Sequence, residues 1–345
     1  MELTKIVFDV EEFNRLIDTS KKVVIVCHMG PDGDALGSSL GLCHVLIGLG
    51  KKANVITPDM PPRQLDRMHD YQSIVVYSNR QQLAEMLIDD ADLIVCLDFN
   101  HLHRIDRLAP LIMQAKADKI LIDHHIGPDD FAKILISRPE KSSTSLLLYM
   151  VLCEAGRRDQ ISLKAAECLL TGMLTDTGGL SFNSNDPDLY LAIADLVAQG
   201  ANKDRITKLV FNTNTESRLR ICGYALSRRM LILPQHRTAI ISLTRNDLDD
   251  FDYKKGDTES LVNSPLSIDG MVCSIFIRED REGYIKVSMR SVGDYHVNTI
   301  CENHFGGGGH ANAAGGDFYG DIDGAIKKIL EVLPLYDKYL PKKER

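Results

Sequence analysis

The stretch that most restricts the fold is Val23-Val24-Ile25-Val26, followed at once by Cys27-His28-Met29-Gly30-Pro31-Asp32-Gly33-Asp34. Four consecutive β-branched apolar residues read as a short buried strand. Gly30-Pro31 and Gly33 impose a turn, and from Ala35 onward Leu36, Leu40, Cys43 and Ile47 recur at helical spacing. One imidazole and two carboxylates therefore fall on a strand-to-helix loop. In an open α/β sheet such loops lie at the carboxyl ends of strands, where ligands of these folds bind. Hard divalent cations take oxygen and imidazole donors, which makes the loop a candidate metal site. Alone, the acidic residues also fit a simpler role, with Asp34 only capping the following helix.

The rest of the chain adds donors of the same kind. A helix from about Val10 to Ser20 precedes the first strand, and further strands are expected near Asn54–Ile56, Ile74–Tyr77, Leu93–Leu97 and Ile120–Ile122. Helix-like segments separate most of them, the pattern of an α/β fold with a doubly wound, mostly parallel sheet. Leu93–Leu97 runs into Asp98, and Ile120–Ile122 into Asp123-His124-His125. After Ser142-Ser143-Thr144-Ser145 come helices expected over Leu146–Ala155 and Leu163–Leu174, the second ending in Thr175-Asp176-Thr177-Gly178-Gly179. Asp176 thus sits at a helix-to-loop junction. Asn185-Asp186-Pro187-Asp188 opens another helix, running to about Gln199.

At 345 residues the chain is long enough for two domains with proper cores. The pattern from Gly200 to Arg229 is helical and more charged. Beyond it, Thr238–Leu243, Met271–Arg278 and Tyr284–Arg290 read as strands, and Ile322–Leu335 as a last amphipathic helix. The expected parse is a catalytic domain over 1–195, a helical connector over 196–230 and a smaller α/β domain over 231–340, with the active site in the cleft between the domains. Within the second domain, Gly306-Gly307-Gly308-Gly309-His310 precedes an Ala-rich, helix-compatible stretch. Those glycines suit either a flexible loop or a nest of backbone N–H groups for phosphate, with Arg290-Ser291 upstream at a strand end.

The formal net charge of -8 gives no overall attraction for long duplex nucleic acid, so a nucleic-acid substrate should be short or held by a local basic patch. Eight scattered cysteines without a CxxC pair indicate a reduced, cytoplasmic protein. No segment reads as a signal peptide or a membrane helix.

Collected in order, His28-Met-Gly-Pro-Asp32-Gly-Asp34, Leu97-Asp98, Asp123-His124-His125 and Thr175-Asp176-Thr177-Gly178 resemble the four motifs of the DHH phosphoesterase family. Ser288-Met-Arg290-Ser291 and Gly306-Gly-Gly-Gly-His310-Ala-Asn-Ala-Ala-Gly315 are similar to its DHH-associated domain. The compact two-domain layout is most similar to the bacterial nanoRNase branch. That resemblance implies a phosphoric ester hydrolase acting on very short oligoribonucleotides from the 3' end and on 3'-phosphoadenosine 5'-phosphate, with linear or cyclic dinucleotides as further substrates. It implies one metal on His28, Asp32 and Asp98, and a second on Asp34, Asp98, His124 and Asp176, with Asp98 shared. Asp123 would orient a ligand and His125 meet substrate phosphate. Arg290, Ser291, Gly306, Gly307, Gly308, Gly309 and His310 would grip the nucleotide. A homodimer is common among such proteins.

Two divalent ions about 3.5 to 4 Å apart can share a hydroxide and hold the attacking and leaving oxygens of an in-line displacement. The mix of imidazole with a carboxylate majority, and no thiolate, makes Mn2+ the first choice, with Mg2+ or Co2+ next. One departure from the family is Phe99-Asn100-His101 after Asp98, with His103 and Arg104 beyond, where small residues are usual. His101 and His103 read as solvent-facing or hydrogen-bonded loop histidines. Two alternatives remain: a pyrophosphatase or exopolyphosphatase of the same family, and a non-catalytic nucleotide-binding regulator.

Overall fold

The computed structural model describes residues 2–212, 214–280 and 283–341. The chain divides into two units, Met1–Thr213 and Asn214–Arg345. In the first, α1 (Val10–Thr19), β1 (Lys22–Val26), α2 (Gly33–Gly48), β2 (Lys52–Thr57), β3 (Val75–Val76), α3 (Gln81–Asp89) and β4 (Leu93–Leu97) follow one another. Then come α4 (Leu108–Gln114), β5 (Asp118–Asp123), β6 (Ile134–Ser137), α5 (Thr144–Glu154), α6 (Leu163–Asp176), α7 (Pro187–Ala198) and α8 (Lys203–Phe211). The sheet order is β3-β2-β1-β4-β5-β6, and every pairing is parallel. This is the doubly wound α/β sheet that the alternating pattern predicts.

Strand residues alternate between two cores. Ile25, Val95 and Ile120 join α1, α2, α5 and α6 on one face, while Val24, Ile94 and Leu121 join α3 and α4 on the other. Both faces are covered, which is why the strands read as unbroken apolar runs. The edge strand β6 has a weak sequence signal: it is four residues long and Leu135 is exposed. Helices α2 and α6 approach so closely that a Cβ on Gly37 would lie 2.7 Å from the carbonyl oxygen of Cys168 and from the amide nitrogen of Gly172.

The second unit contains α9 (Glu216–Arg228), β7 (Met230–Leu233), β8 (Thr238–Leu243), α10 (Arg245–Asp250), β9 (Cys273–Glu279), β10 (Ile285–Ser291), α11 (Val297–His304), β11 (Gly308–His310), β12 (Ala313–Phe318) and α12 (Ile322–Tyr336). Its sheet, β11-β12-β10-β9-β8-β7, is antiparallel except for the parallel β8–β9 pair. The boundary at 213/214 splits the stretch expected as a connector over 196–230. Ile206 of α8 belongs to the first unit's core, and Ile221 and Ala225 of α9 to the second's.

The glycine-rich segment also departs from expectation. The Ala-rich stretch is a strand and not a helix; Gly308–His310 and Ala313–Phe318 form a hairpin. A Cβ on Gly307 would fall 1.9 Å from the Gly315 carbonyl oxygen, and one on Gly316 would fall 2.6 Å from that of Phe305. Gly307 and Gly316 are therefore required by close backbone approach, and strand pairing overrides the helix-compatible composition.

Packing at Gly37 gives a direct test. Gly37→Val should destabilise the fold by about 1–3 kcal/mol or more through overpacking. Gly48→Ala, in the same helix with open space around it, should be neutral or stabilising by up to about 1 kcal/mol. Chemical denaturation of the two variants checks this, and equal midpoints would contradict the packing argument.

Candidate metal centre

The strand order reverses direction between β1 and β4, and the crevice at that switch point is where open α/β sheets bind ligands. His28 lies just past β1, Asp98 follows β4, and Asp123 ends β5 with His124 and His125 directly after it. Asp34 sits in the first turn of α2, and Asp176 is the last residue of α6. The helix cap is Asp32 and not Asp34: one Asp32 oxygen accepts the N–H groups of Asp34 and Ala35, at 2.9 and 3.0 Å. Its other oxygen lies 3.8 Å from His28 Nε2, so capping and facing the site are both done by one carboxylate.

Three overlapping groups of donors result, each with its ligand atoms within 4.8 Å of one another: His28, Asp32 and Asp98; Asp34, His124 and Asp176; and Asp98, His124 and His125. His28 Nε2 lies 3.4 Å from Asp98, while His124 Nε2 lies 3.6 Å from Asp98, 3.3 Å from Asp176 and 4.0 Å from Asp34. Asp98 is buried in the left-handed backbone region at φ 64°, uncommon for a non-glycine residue and characteristic of functional turns. Asp123, fully buried, accepts the His125 N–H at 3.0 Å and meets its Nδ1 at 2.7 Å. His125 is thereby held with Nδ1 committed and Nε2 available.

Several supporting groups escaped the sequence reading. Both Asp34 oxygens accept backbone N–H groups at the start of α5, from Thr144 at 2.6 Å and Ser145 at 2.8 Å. The Thr144 hydroxyl donates to Asp98 at 2.8 Å. The run Ser142-Ser143-Thr144-Ser145 ahead of an apolar helix was the available signal, since Ser143 is the N-cap. Gly172 completes the fit: a Cβ there would lie 2.0 Å from Ser145 Oγ and 2.7 Å from Asp34 Oδ1.

Electrostatics shows what this donor set lacks. Burial, then the charges of Asp98 and Asp32, push the Asp176 carboxyl up to about 9. Burial, then Asp98, Asp176 and Asp32, hold Asp34 well above the usual range. Asp98 is itself opposed by burial, yet the hydrogen bond and charge of His28, with His124 and His125, hold it below the ordinary carboxylate range. A buried carboxylate cluster that can ionise fully only beside a cation fits divalent metal. The imidazole content fits Mn2+-type or Zn2+-type ions better than Ca2+.

The candidate nucleotide residues lie in the second unit. β10 alternates burial, so Ser291 points to the core side and Arg290 to the opposite face. The Ser291 hydroxyl is buried, donates to the Tyr295 carbonyl and accepts from Asn312 Nδ2. Ser291 thus holds the turn, with its hydroxyl engaged by Tyr295 and Asn312. Half-buried Arg290 donates to the carbonyl of Met289, and His310 is exposed at the end of β11. The Gly307 N–H is taken by the Cys301 carbonyl and so is not free for a phosphate nest. His101 bonds Asp129 at 2.9 Å and stacks on His103, consistent with hydrogen-bonded loop histidines.

The acidic cluster carries a pH prediction. For a carboxyl raised in the fold, the stabilising contribution is complete below the unfolded pKa of about 4. It is lost as pH rises through about 9, the folded value of Asp176. Metal-free protein should therefore lose thermal stability between pH about 5 and about 9, and Asp176→Asn should reduce that slope. Melting in the presence of chelator measures it; an unchanged slope in the variant would refute the assignment.

Comparison with known proteins agrees with this layout. The profile of the DHH family N-terminal domain matches residues 22–173, and that of the DHHA1 domain matches residues 238–334. The chain is 31% identical to the bifunctional oligoribonuclease and PAP phosphatase NrnA of Thermus thermophilus, over 90% of this chain and 89% of that protein. It is 29% identical to the cyclic-di-AMP phosphodiesterase GdpP of Geobacillus thermodenitrificans, over 87% of this chain but 45% of that protein. The crystal structure of an exopolyphosphatase-related protein from Bacteroides fragilis superposes with a TM-score of 0.94 at 45% identity, covering 98% and 99% of the two chains. RecJ of Thermus thermophilus with Mn2+, at 14% identity and a TM-score of 0.58 over the whole of this chain and 57% of that one, shares the fold. With candidate metal-ligand motifs at the switch point of the first unit and a DHHA1 domain later in the sequence, the chain belongs to the DHH family.

Proposed function

We propose that the protein is a metal-dependent phosphodiesterase and phosphatase. It removes mononucleotides from the 3' end of very short oligoribonucleotides and dephosphorylates 3'-phosphoadenosine 5'-phosphate, with linear or cyclic dinucleotides as further substrates. The observation that carries the reading is the place of Asp98 in two overlapping donor groups, one with His28 and Asp32, the other with His124 and His125. His28, Asp32 and Asp98 would hold one cation, and Asp34, Asp98, His124 and Asp176 the other; Mn2+ suits these donors best. Such a pair supplies Lewis acidity and lowers the pKa of bound water.

The chain's own residues supply the rest. Asp123 fixes the ring of His125 so that Nε2 can meet the substrate phosphate. Arg290 and His310 supply positive charge for nucleotide phosphates. The net charge of -8 limits affinity for long strands, which supports short substrates. Eight free cysteines support a reducing, cytoplasmic setting. No helix among the described residues is long and apolar enough to cross a membrane.

A second reading, hydrolysis of polyphosphate or pyrophosphate, is favoured by the likeness to the exopolyphosphatase-related protein. Metal-stripped protein with and without Mn2+ should be assayed on a 5'-labelled diribonucleotide, 3'-phosphoadenosine 5'-phosphate and pyrophosphate. Manganese-dependent release of mononucleotide is expected, with Asp98→Asn lowering kcat by roughly a thousandfold or more, as loss of a group essential to the transition state does. Turnover of pyrophosphate alone would replace the first reading by the second.

A further inference from the structure

We propose that Lys141 is a positioning residue for the metal centre: held by Asp186 and Asp188, it fixes the backbone strip Lys141–Ser145 that aims His124, Asp34 and Asp98. This rests on the reading of that centre as a divalent-cation site. The Lys141 side chain is buried, with Nζ 2.9 Å from Asp186 Oδ2 and 2.6 Å from Asp188 Oδ2. Both partners are themselves fixed. Asp186 caps α7 by accepting the Asp188 N–H at 3.0 Å, and the second Asp188 oxygen accepts the Thr4 N–H at 2.9 Å.

The backbone of the same lysine reaches the site. Its carbonyl oxygen lies 3.1 Å from His124 Nδ1. A carbonyl can only accept, so Nδ1 is the donor of that contact, which turns Nε2 toward Asp34, Asp98 and Asp176. The next carbonyl, of Ser142, accepts from Asn183 Nδ2 at 3.3 Å. Ser143 caps α5, and the Thr144 and Ser145 N–H groups hold the two oxygens of Asp34 while the Thr144 hydroxyl holds Asp98. Within this five-residue strip Lys141, Thr144 and Ser145 therefore meet three candidate ligands, while Ser142 and Ser143 anchor it. The ion triad ties them to the N-terminus of α7, the next helix after α6, which ends in Asp176.

An ion triad suits this task because a buried ammonium between two carboxylates has a narrow set of favourable positions, whereas an apolar side chain would tolerate sliding. Groups that orient metal ligands typically change metal affinity 10- to 100-fold when removed.

The test compares wild type, Lys141→Met, Lys141→Arg and Asp186→Asn, with the surface variant Lys133→Met as control. Mn2+ binding to the metal-stripped full chain is followed by electron paramagnetic resonance. The tautomer of His124 is read from imidazole 15N spectra without metal, and thermal melting reports folding. Lys141→Met and Asp186→Asn should weaken at least one Mn2+ equivalent by about 10- to 100-fold and mix the His124 tautomers. Lys141→Arg should restore part of the loss and Lys133→Met should match wild type. Should Lys141→Met not fold, Asp186→Asn, which keeps the Asp188 pair, decides. Folded variants with lowered melting temperature but unchanged Mn2+ binding and a single Nδ1–H tautomer would overturn the proposal and leave the triad a purely structural role. If wild type binds no Mn2+, it is the metal-site reading that has failed; the tautomer spectra then still decide for or against the role of Lys141.

Discussion

Asp34 and Asp98 are removed from water within reach of each other and of Asp176, and their mutual repulsion sets the terms for the rest of the first unit. Each ionised carboxylate in such a place needs either a cation or several donors. The fold provides both kinds of relief from distant parts of the chain. Three histidines approach the acidic pair from the ends of β1 and β5, and the start of α5 contributes two backbone N–H groups and a hydroxyl. The parallel sheet makes this convergence possible: strands running the same way deliver all their carboxyl-end loops to one edge.

Much of that convergence was legible in the linear sequence. Each donor stands immediately after a short apolar run or at a helix end, so element order alone brings His28, Asp32, Asp34, Asp98, Asp123, His124, His125 and Asp176 to the same edge. The run Val23–Val26 is unambiguous because a strand buried on both faces carries no polar residue to break it. What the sequence hid were contacts made by backbone atoms. Nothing in the identity of Lys141 announces that its carbonyl meets His124, and the amide groups of Thr144 and Ser145 are chemically anonymous. Nor does the sequence announce that the Ser291 hydroxyl is engaged within the fold while its neighbour Arg290 points the other way, because side chains alternate along a strand.

The glycine-rich hairpin shows a different limit. Gly306–Gly309 followed by alanines reads locally as a loop and a helix, since alanine favours helix and glycine tolerates any backbone. The close approach of Gly307 to Gly315, and of Gly316 to Phe305, leaves no room for a Cβ, and that constraint appears only once the chain has folded back on itself. Composition reports what a residue prefers alone, whereas steric exclusion reports what its neighbours permit.

Asp34 illustrates how orientation and charge are separated in this centre. Two N–H groups at the positive end of α5 favour its ionised form, and such bonds alone would lower its pKa. Burial and three neighbouring carboxylates outweigh them, and the carboxyl is raised. The N–H pair therefore does not secure the charge in the metal-free fold; it fixes where the two oxygens lie. Orientation is present before any cation binds, and charge is completed by the cation. A site built this way loses little conformational freedom on binding, which is the condition for holding a small ion tightly at a centre that must also leave room for a phosphate.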